Sequence, residues 1–392
     1  MSAAAEAEEL EAAVFAWMER APAGFVAAGT TRAACYGLDV KSEAALQARF
    51  EILALRIFAH QFEHVPAYAA YARTAGRTPA EVRQARDIPA LPVAAFKYER
   101  IATFDAARDQ VRFHTSGTTD GHPGVLALAS TRLYDRALRR GFRHHVLPDH
   151  DSMRMVSMIP DRVEAPHSSL AYMLAAVRAE FGTSESAVVH RDGAFEWRGF
   201  AAALASACDA GEPVCIMGAG FQWVHVLDAC EAESLRFQLP PGSRAFETGG
   251  TKGRARTLDR ARLLNGIERC FAIPATHVVG EYGMTEMGSQ FYTLDLRRAV
   301  LGLPPVDACW SYPAWVRPRL MEAETGRCVE MQDAREVGLL AHHDLANVDS
   351  AAHLLTADLG VAAGCSFALH GRAARADPRG CGLVHEQMDV MR

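Results

Sequence analysis

From Met153 to Val279 the chain alternates short apolar runs with stretches patterned as helices, and this alternation restricts the fold more than any other feature. The runs are Met153 to Ile159, Val214 to Met217 and His277-Val278-Val279; the helical patterns lie near Ser169 to Glu180 and Trp223 to Cys230. Strands that feed helices and then further strands build layered α/β structure, with helices packed on sheet faces. The flanks differ. Ala3 to about Ala21 reads as an amphipathic helix stopped at Pro22, and Glu43 to about Ala70 as a longer helix broken near Pro66. From Trp315 to Leu369 the pattern turns β-rich, with Gly338 to Ala341, His353 to Leu355 and Cys365 to Leu369 as candidate strands. The expected architecture is layered α/β subdomains plus a β-rich subdomain, roughly two or three packed together in a chain of this length.

Charge and cysteine content narrow the function classes. A net charge of -6 provides no broad basic field, so nucleic acid is not an expected partner. No apolar stretch approaches the roughly 20 residues that span a bilayer, which argues against integral membrane association. Nine cysteines without a CxxC pair, behind an opening of Ala and Glu rather than a basic-then-apolar leader, predict free thiols and a cytoplasmic location. Of 41 basic residues only Lys41, Lys97 and Lys252 are lysine, so each invites a question about its use.

Four segments carry residue types suited to chemistry. The run Phe113 to Gly124 packs hydroxyls and glycines between the strand-like Val111-Arg112-Phe113 and Val125 to Ala129, ahead of a helix from about Thr131 to His144. Glycines let main-chain N–H groups approach an anion, and Ser and Thr hydroxyls add donors; a surface turn has the same composition, so both readings stand. Phe246 to Arg254 is a glycine turn carrying Lys252, able to neutralise a phosphate or a carboxylate under activation, or to be a solvated basic turn. Gly280 to Gly288 offers an aromatic ring, a hydroxyl and a carboxylate after an apolar strand, which suits a base, a phosphate and Mg2+, or makes a strand-to-turn corner. Thr356 to Gly360 with Gly371-Arg372 places Asp358 to accept from a polyol and Arg372 to donate, or forms an exposed ion pair.

In this order the four segments resemble the adenylate-forming superfamily of acyl-CoA synthetases, peptide-synthetase adenylation domains and luciferases. More narrowly the chain resembles the LuxE-like acyl-protein synthetases, with phenylacetate-CoA ligases as more distant relatives. That likeness rests on Ile88-Pro89-Ala90-Leu91-Pro92 through Phe96-Lys97, on Glu247-Thr248-Gly249-Gly250-Thr251-Lys252-Gly253, and on Arg379-Gly380-Cys381, and it covers about residue 85 onward. It implies ATP and Mg2+ as cofactors. Thr115, Ser116, Gly117, Thr118, Thr119 and Gly121 then fall on the ATP-phosphate loop, with Asp120 where the family has a glycine. Gly249 and Gly250 fall on the second loop; Tyr282 would stack on adenine beside Gly283, Thr285 touch the α-phosphate, Glu286 hold Mg2+, and Asp358 and Arg372 bind ribose.

The resemblance also divides the chain into a helical N-terminal part at 1–84, an α/β core with the nucleotide site at 85–370, and a tail at 371–392 in place of the family's mobile lid domain. Without the lid's lysine, Lys252 with Arg254 and Arg256, or else Lys97, would supply the catalytic charge. Cys381, flanked by Arg375 and Arg379, stands where the family passes an acyl group to a thiol, and is otherwise an inert thiol. The implied function is an ATP-dependent acid–thiol ligase that activates a fatty or aryl acid as acyl-AMP. The acceptor is its own cysteine, a partner protein, a carrier or CoA. A CoA ligase of the phenylacetate type and a non-catalytic adenylate- or acyl-binding scaffold remain as alternatives. His114, His122 and His277 lie near the motifs and are expected to pack or cap.

Overall fold

The computed structural model describes residues 3–115, 123–249, 259–306, 309–322, 327–331 and 337–373. The chain divides into two compact units. One comprises Met1–Ala137, Thr285–Ser289 and Ala308–Arg392; the other comprises Leu138–Met284 and Gln290–Asp307.

The first unit begins with helix Ala3–Met18, which buries Leu10, Val14, Trp17 and Met18. A longer helix, Val40–His64, starts where Asp39 accepts a hydrogen bond from the Ser42 amide. It stops at Val65 because Pro66 has no N–H to continue the ladder, and Pro66 opens the next helix, Pro66–Thr74, at the position where that N–H is not needed. The break expected at Pro66 therefore falls there. The β-rich part is a six-stranded sheet. Strand His353–Ala363 lies between Leu91–Pro92, which it pairs in parallel, and Gly338–Asp344, which it pairs antiparallel; Val316–Met321 and Cys328–Glu330 follow outward, and Ser366–Arg372 also pairs with His353–Ala363. A separate antiparallel pair joins Val111–His114 with Val125–Leu128.

The second unit has the α/β layering that the alternation predicts, and most of its strands run parallel. Strands Arg154–Ser157, Val214–Ala219, Arg244–Thr248 and Val278–Tyr282 lie side by side in that order, all parallel. Helices Ser169–Phe181, Trp197–Ala210, Gly220–Ala232 and Arg260–Phe271 intervene in sequence. Every residue of the first two strands is buried, as in a sheet covered on both faces. The core gathers Val156, Ile216, Trp223, Ile267, Phe271 and Val278.

Strand Arg244–Thr248 has no counterpart in the sequence reading, which treats Phe246 to Arg254 as a turn. A charged residue at its start hides the pattern. Arg244 is fully buried because both Asp149 oxygens accept from its guanidinium, at 2.7 and 3.0 Å, with the Val146 and Gly242 carbonyls completing the set. Burial opposes the Asp149 charge, yet bonding to Arg244 and His150 holds that carboxyl down at about 2.

The expectation of free thiols needs one correction. Cys35 and Cys365 are joined sulfur to sulfur, 330 residues apart, because the turn before Ser366–Arg372 packs on Gly29, whose carbonyl accepts from the Cys365 amide. Among the described residues Cys208, Cys215, Cys230, Cys270 and Cys328 are free of disulfides. Among the described residues no helix is long and apolar enough to cross a membrane.

Candidate active site

In the second unit the two glycine-bearing motifs leave neighbouring parallel strands at the same end. Gly280 registers with Glu247, and Glu281 with Thr248; neighbouring strands of a sheet stand about 4.8 Å apart. Open α/β sheets bind ligands beyond the carboxyl ends of such strands, where loops diverge. The two ends are tied together, since the Thr248 hydroxyl donates to Glu281 Oε2. Gly249 follows with φ 64°, a left-handed conformation that glycine takes without a Cβ clash. At Gly283 a Cβ would stand 2.5 Å from Glu281 Oε1, so glycine keeps that carboxylate in place. Tyr282 is half-buried, its ring 5.5 Å from that of Phe291.

Glu247 is the electrostatic anomaly of this end. Burial pushes its carboxyl up to about 7, the Glu281 carboxylate adds to the rise, and Arg260 partly offsets it. A carboxyl held near neutrality at a strand end is a mark of functional sites.

Between Met284 and Thr285 the chain passes into the first unit, where Thr285–Ser289 is clamped by main-chain and side-chain bonds. Glu286 is 8 % exposed. Its carbonyl accepts from Asn347 Nδ2 at 2.8 Å, and the same nitrogen donates to the Ala351 carbonyl at 2.9 Å. Gln61 then fixes this turn from the long helix, donating to the Asn347 and Val348 carbonyls and accepting from the Ala352 amide. Ser289 donates to Asp344 Oδ1 at 2.8 Å and accepts from Trp315 Nε1 at 3.0 Å. Burial raises the Asp344 carboxyl to about 6, against the pull of Ser289 and the Ala346 amide. Gln61, Asp344 and Asn347 escape the sequence reading. The one signal for the latter two is polarity among the apolar residues between Leu339 and Val348.

Of the other predicted residues of the first unit, Thr115 and Arg372 lie at strand ends and Asp358 in the middle of a strand. Thr115 closes the pair of Val111–His114 and Val125–Leu128, its Oγ1 accepting from the Gly124 amide at 2.8 Å, which leaves the hydroxyl proton to donate. A Cβ at Gly124 would stand 3.3 Å from Phe96 Cβ, so the turn Val93–Lys97 packs beside the Thr115–Gly124 closure. Asp358 and Arg372 are register partners joined at 3.2 Å. The Arg372 side chain is 70 % exposed against 17 % for Asp358. Such a pair contributes at most about 1 kcal/mol to stability, so stability does not explain it. Ser116, Gly117, Thr118, Thr119, Gly121, Gly250, Lys252 and Cys381 lie outside the described residues, as do Arg254, Arg256, Arg375 and Arg379.

The residues present fit the implied groups. Mg2+ takes one or two protein carboxylates and completes its shell with phosphate oxygens and water, and Glu286 offers one carboxylate on a clamped backbone. Tyr282 offers a half-buried ring for a base.

Residues 39–389 match the family model of the acyl-protein synthetase LuxE. No curated protein matches the chain. Among solved structures, an open conformation of 2-hydroxyisobutyryl-CoA ligase in complex with 2-HIB-AMP and CoA superposes with a TM-score of 0.56 at 14 % identity, over 84 % of this chain and 77 % of that one. The luciferase-like enzyme of the nonluminescent mealworm Zophobas morio gives 0.49 at 15 % identity, over 76 % of this chain. A fatty acyl-adenylate ligase from L. pneumophila gives 0.45 at 15 % identity, over 71 % of this chain. The chain spans 64 % and 53 % of these last two. The first likeness identifies the fold as that of adenylate-forming enzymes.

Proposed function

The chain belongs to the acyl-protein synthetase LuxE family and is thus an enzyme of the adenylate-forming ligase type, and from that premise we propose that it is an ATP- and Mg2+-dependent acid–thiol ligase. The observation that carries this reading is the pair of motif loops leaving the carboxyl ends of adjacent parallel strands, with Thr248 bound to Glu281 between them.

In the first step an oxygen of the substrate carboxylate attacks the α-phosphorus of ATP; a new P–O bond forms as the bond to pyrophosphate breaks. In the second a thiolate attacks the acyl carbon, forming a C–S bond while AMP leaves with the C–O electron pair. Both steps call for alignment and charge neutralisation rather than covalent help from the protein. Tyr282 stacks on the adenine, Thr285 donates to the α-phosphate, and Asp358 with Arg372 grips the ribose. Thr115, Ser116, Gly117, Thr118, Thr119 and Gly121 hold the phosphates. Glu286 holds Mg2+, which when bound screens the phosphate charge. Lys252 in the Gly249-Gly250 loop neutralises the attacked phosphate, with Lys97 as the second candidate. The acid is fatty or aryl, and the acceptor is Cys381, a partner protein, a carrier or CoA.

Pyrophosphate exchange into ATP, measured across a panel of fatty and aryl acids, is expected with at least one acid. Binding of AMP without exchange for any acid would replace the ligase with an adenylate-binding scaffold. Incubation with ATP and the active acid is expected to leave an acyl adduct that Cys381→Ser abolishes; an adduct that survives removes Cys381 from the reaction.

A further inference from the structure

The helices at the start of the chain carry a side-chain cluster that the ligase reading does not use. His60 and His64 stand four residues apart on helix Val40–His64, so both rings project from one face. Glu6, on helix Ala3–Met18, reaches the same point. Its Oε2 lies 3.2 Å from His60 Nδ1 and 4.0 Å from His64 Nε2, and one donor atom from each of the three side chains falls within 4.8 Å of the others. Two imidazoles and a carboxylate at such separations match a tetrahedral metal shell. Ligand bonds of about 2.0–2.1 Å place neighbouring donors about 3.3 Å apart, so closure requires only a small contraction.

Two further facts describe the setting. His60 is 1 % exposed and turns Nδ1 to Glu6, while its Nε2 has no hydrogen-bond partner among the described residues, so the sealed ring keeps half its polar capacity unused. Beside it Arg56 pairs with Glu9 at 2.7 Å, so the neighbouring cation between these helices is already committed to another carboxylate.

We propose that Glu6, His60 and His64 form a binding site for a zinc-class divalent transition metal that staples the first helix to the long helix, with one coordination position left to water. The donor set excludes Mg2+ and Ca2+, which prefer all-oxygen shells. The site is structural rather than hydrolytic. In the zinc-protease pattern His-Glu-x-x-His read on a helix, the residue after the first histidine is the general base. Here that residue is Gln61, whose amide is engaged with the Asn347 and Val348 carbonyls.

The test uses the full chain without an affinity tag, stripped with chelator and titrated with Zn2+ against a chromophoric competitor. One equivalent is expected, together with a rise in Tm that Mg2+ does not reproduce. Co2+ in its place is expected to show ligand-field bands without thiolate charge transfer, which separates this site from the cysteines. Glu6 and His64 are only partly buried, so Glu6→Gln and His64→Ala fold; each is expected to weaken Zn2+ binding at least about 10–100-fold and to abolish the Tm rise. No stoichiometric binding, a thiolate spectrum, or affinity unchanged in both variants overturns the site. None of these readouts depends on adenylate formation.

Discussion

In the parallel-stranded unit the core around Val156, Ile216, Trp223 and Phe271 is apolar, and the charge buried deepest, Arg244, is cancelled at one point by Asp149. In the other unit the sheet itself takes polar groups inside: His342, His343, Asp344 and His353 lie on paired strands or their ends, all sealed from water. Burial drives the His342 and His353 rings down to about 3, so they sit there neutral. The contrast follows from what each sheet holds. Parallel strands present motif residues at their carboxyl ends and need only a firm apolar platform. The antiparallel sheet grips Thr285–Ser289 from within, and a grip made of hydrogen bonds needs buried donors and acceptors.

The strongest challenge to this contrast is Arg244→Ala. It removes the fully buried guanidinium, leaving a cavity and taking the donor from the Val146 and Gly242 carbonyls as well as from Asp149, and is expected to cost about 3–5 kcal/mol in urea unfolding. A loss below about 1 kcal/mol would mean that the parallel unit tolerates buried charge as readily as the other. Asn347→Ala probes the opposite side. It removes the donor held by the Glu286 and Ala351 carbonyls and is expected to cost about 1–3 kcal/mol. Pyrophosphate exchange should fall through kcat with little change in the KM for the acid; a KM effect alone would show that the clamp positions substrate rather than Glu286.

The smallest effect concerns Glu247. Its folded carboxyl titrates at about 7, above the ordinary value near 4.5, so the folded state binds the extra proton between those values. Stability from this group is full below about pH 4.5 and is lost as pH rises through 7. Glu247→Gln, which mimics the neutral form, is therefore expected to raise stability at pH 8 and to change nothing at pH 4. Thermal melts at both values check this, and a gain at pH 4 would show that burial is not the cause.

Legibility in the sequence followed the same divide. The Pro66 break, the strands at Val214 and Val278 and the Tyr282-to-Glu286 motif could be read because apolar period and residue type are local properties. Strand Arg244–Thr248 could not, because a buried arginine resembles a loop residue until Asp149 is in place. Gln61 and Asn347 were invisible for a different reason: their bond spans 286 residues, and neither has a spacing that announces the other. The Cys35–Cys365 pairing was hidden in the same way.

That long separation has a consequence during synthesis. The parallel strands from Arg154 to Tyr282 fall within one continuous stretch and can close on each other as soon as it leaves the ribosome. Gln61 and strand Leu91–Pro92 emerge far earlier, yet their partners, the Asn347 turn and strand His353–Ala363, are translated only after that whole stretch. The nascent helices Ala3–Met18 and Val40–His64 therefore carry uncovered apolar faces while the parallel stretch is made, and the unit begun first is completed after the other.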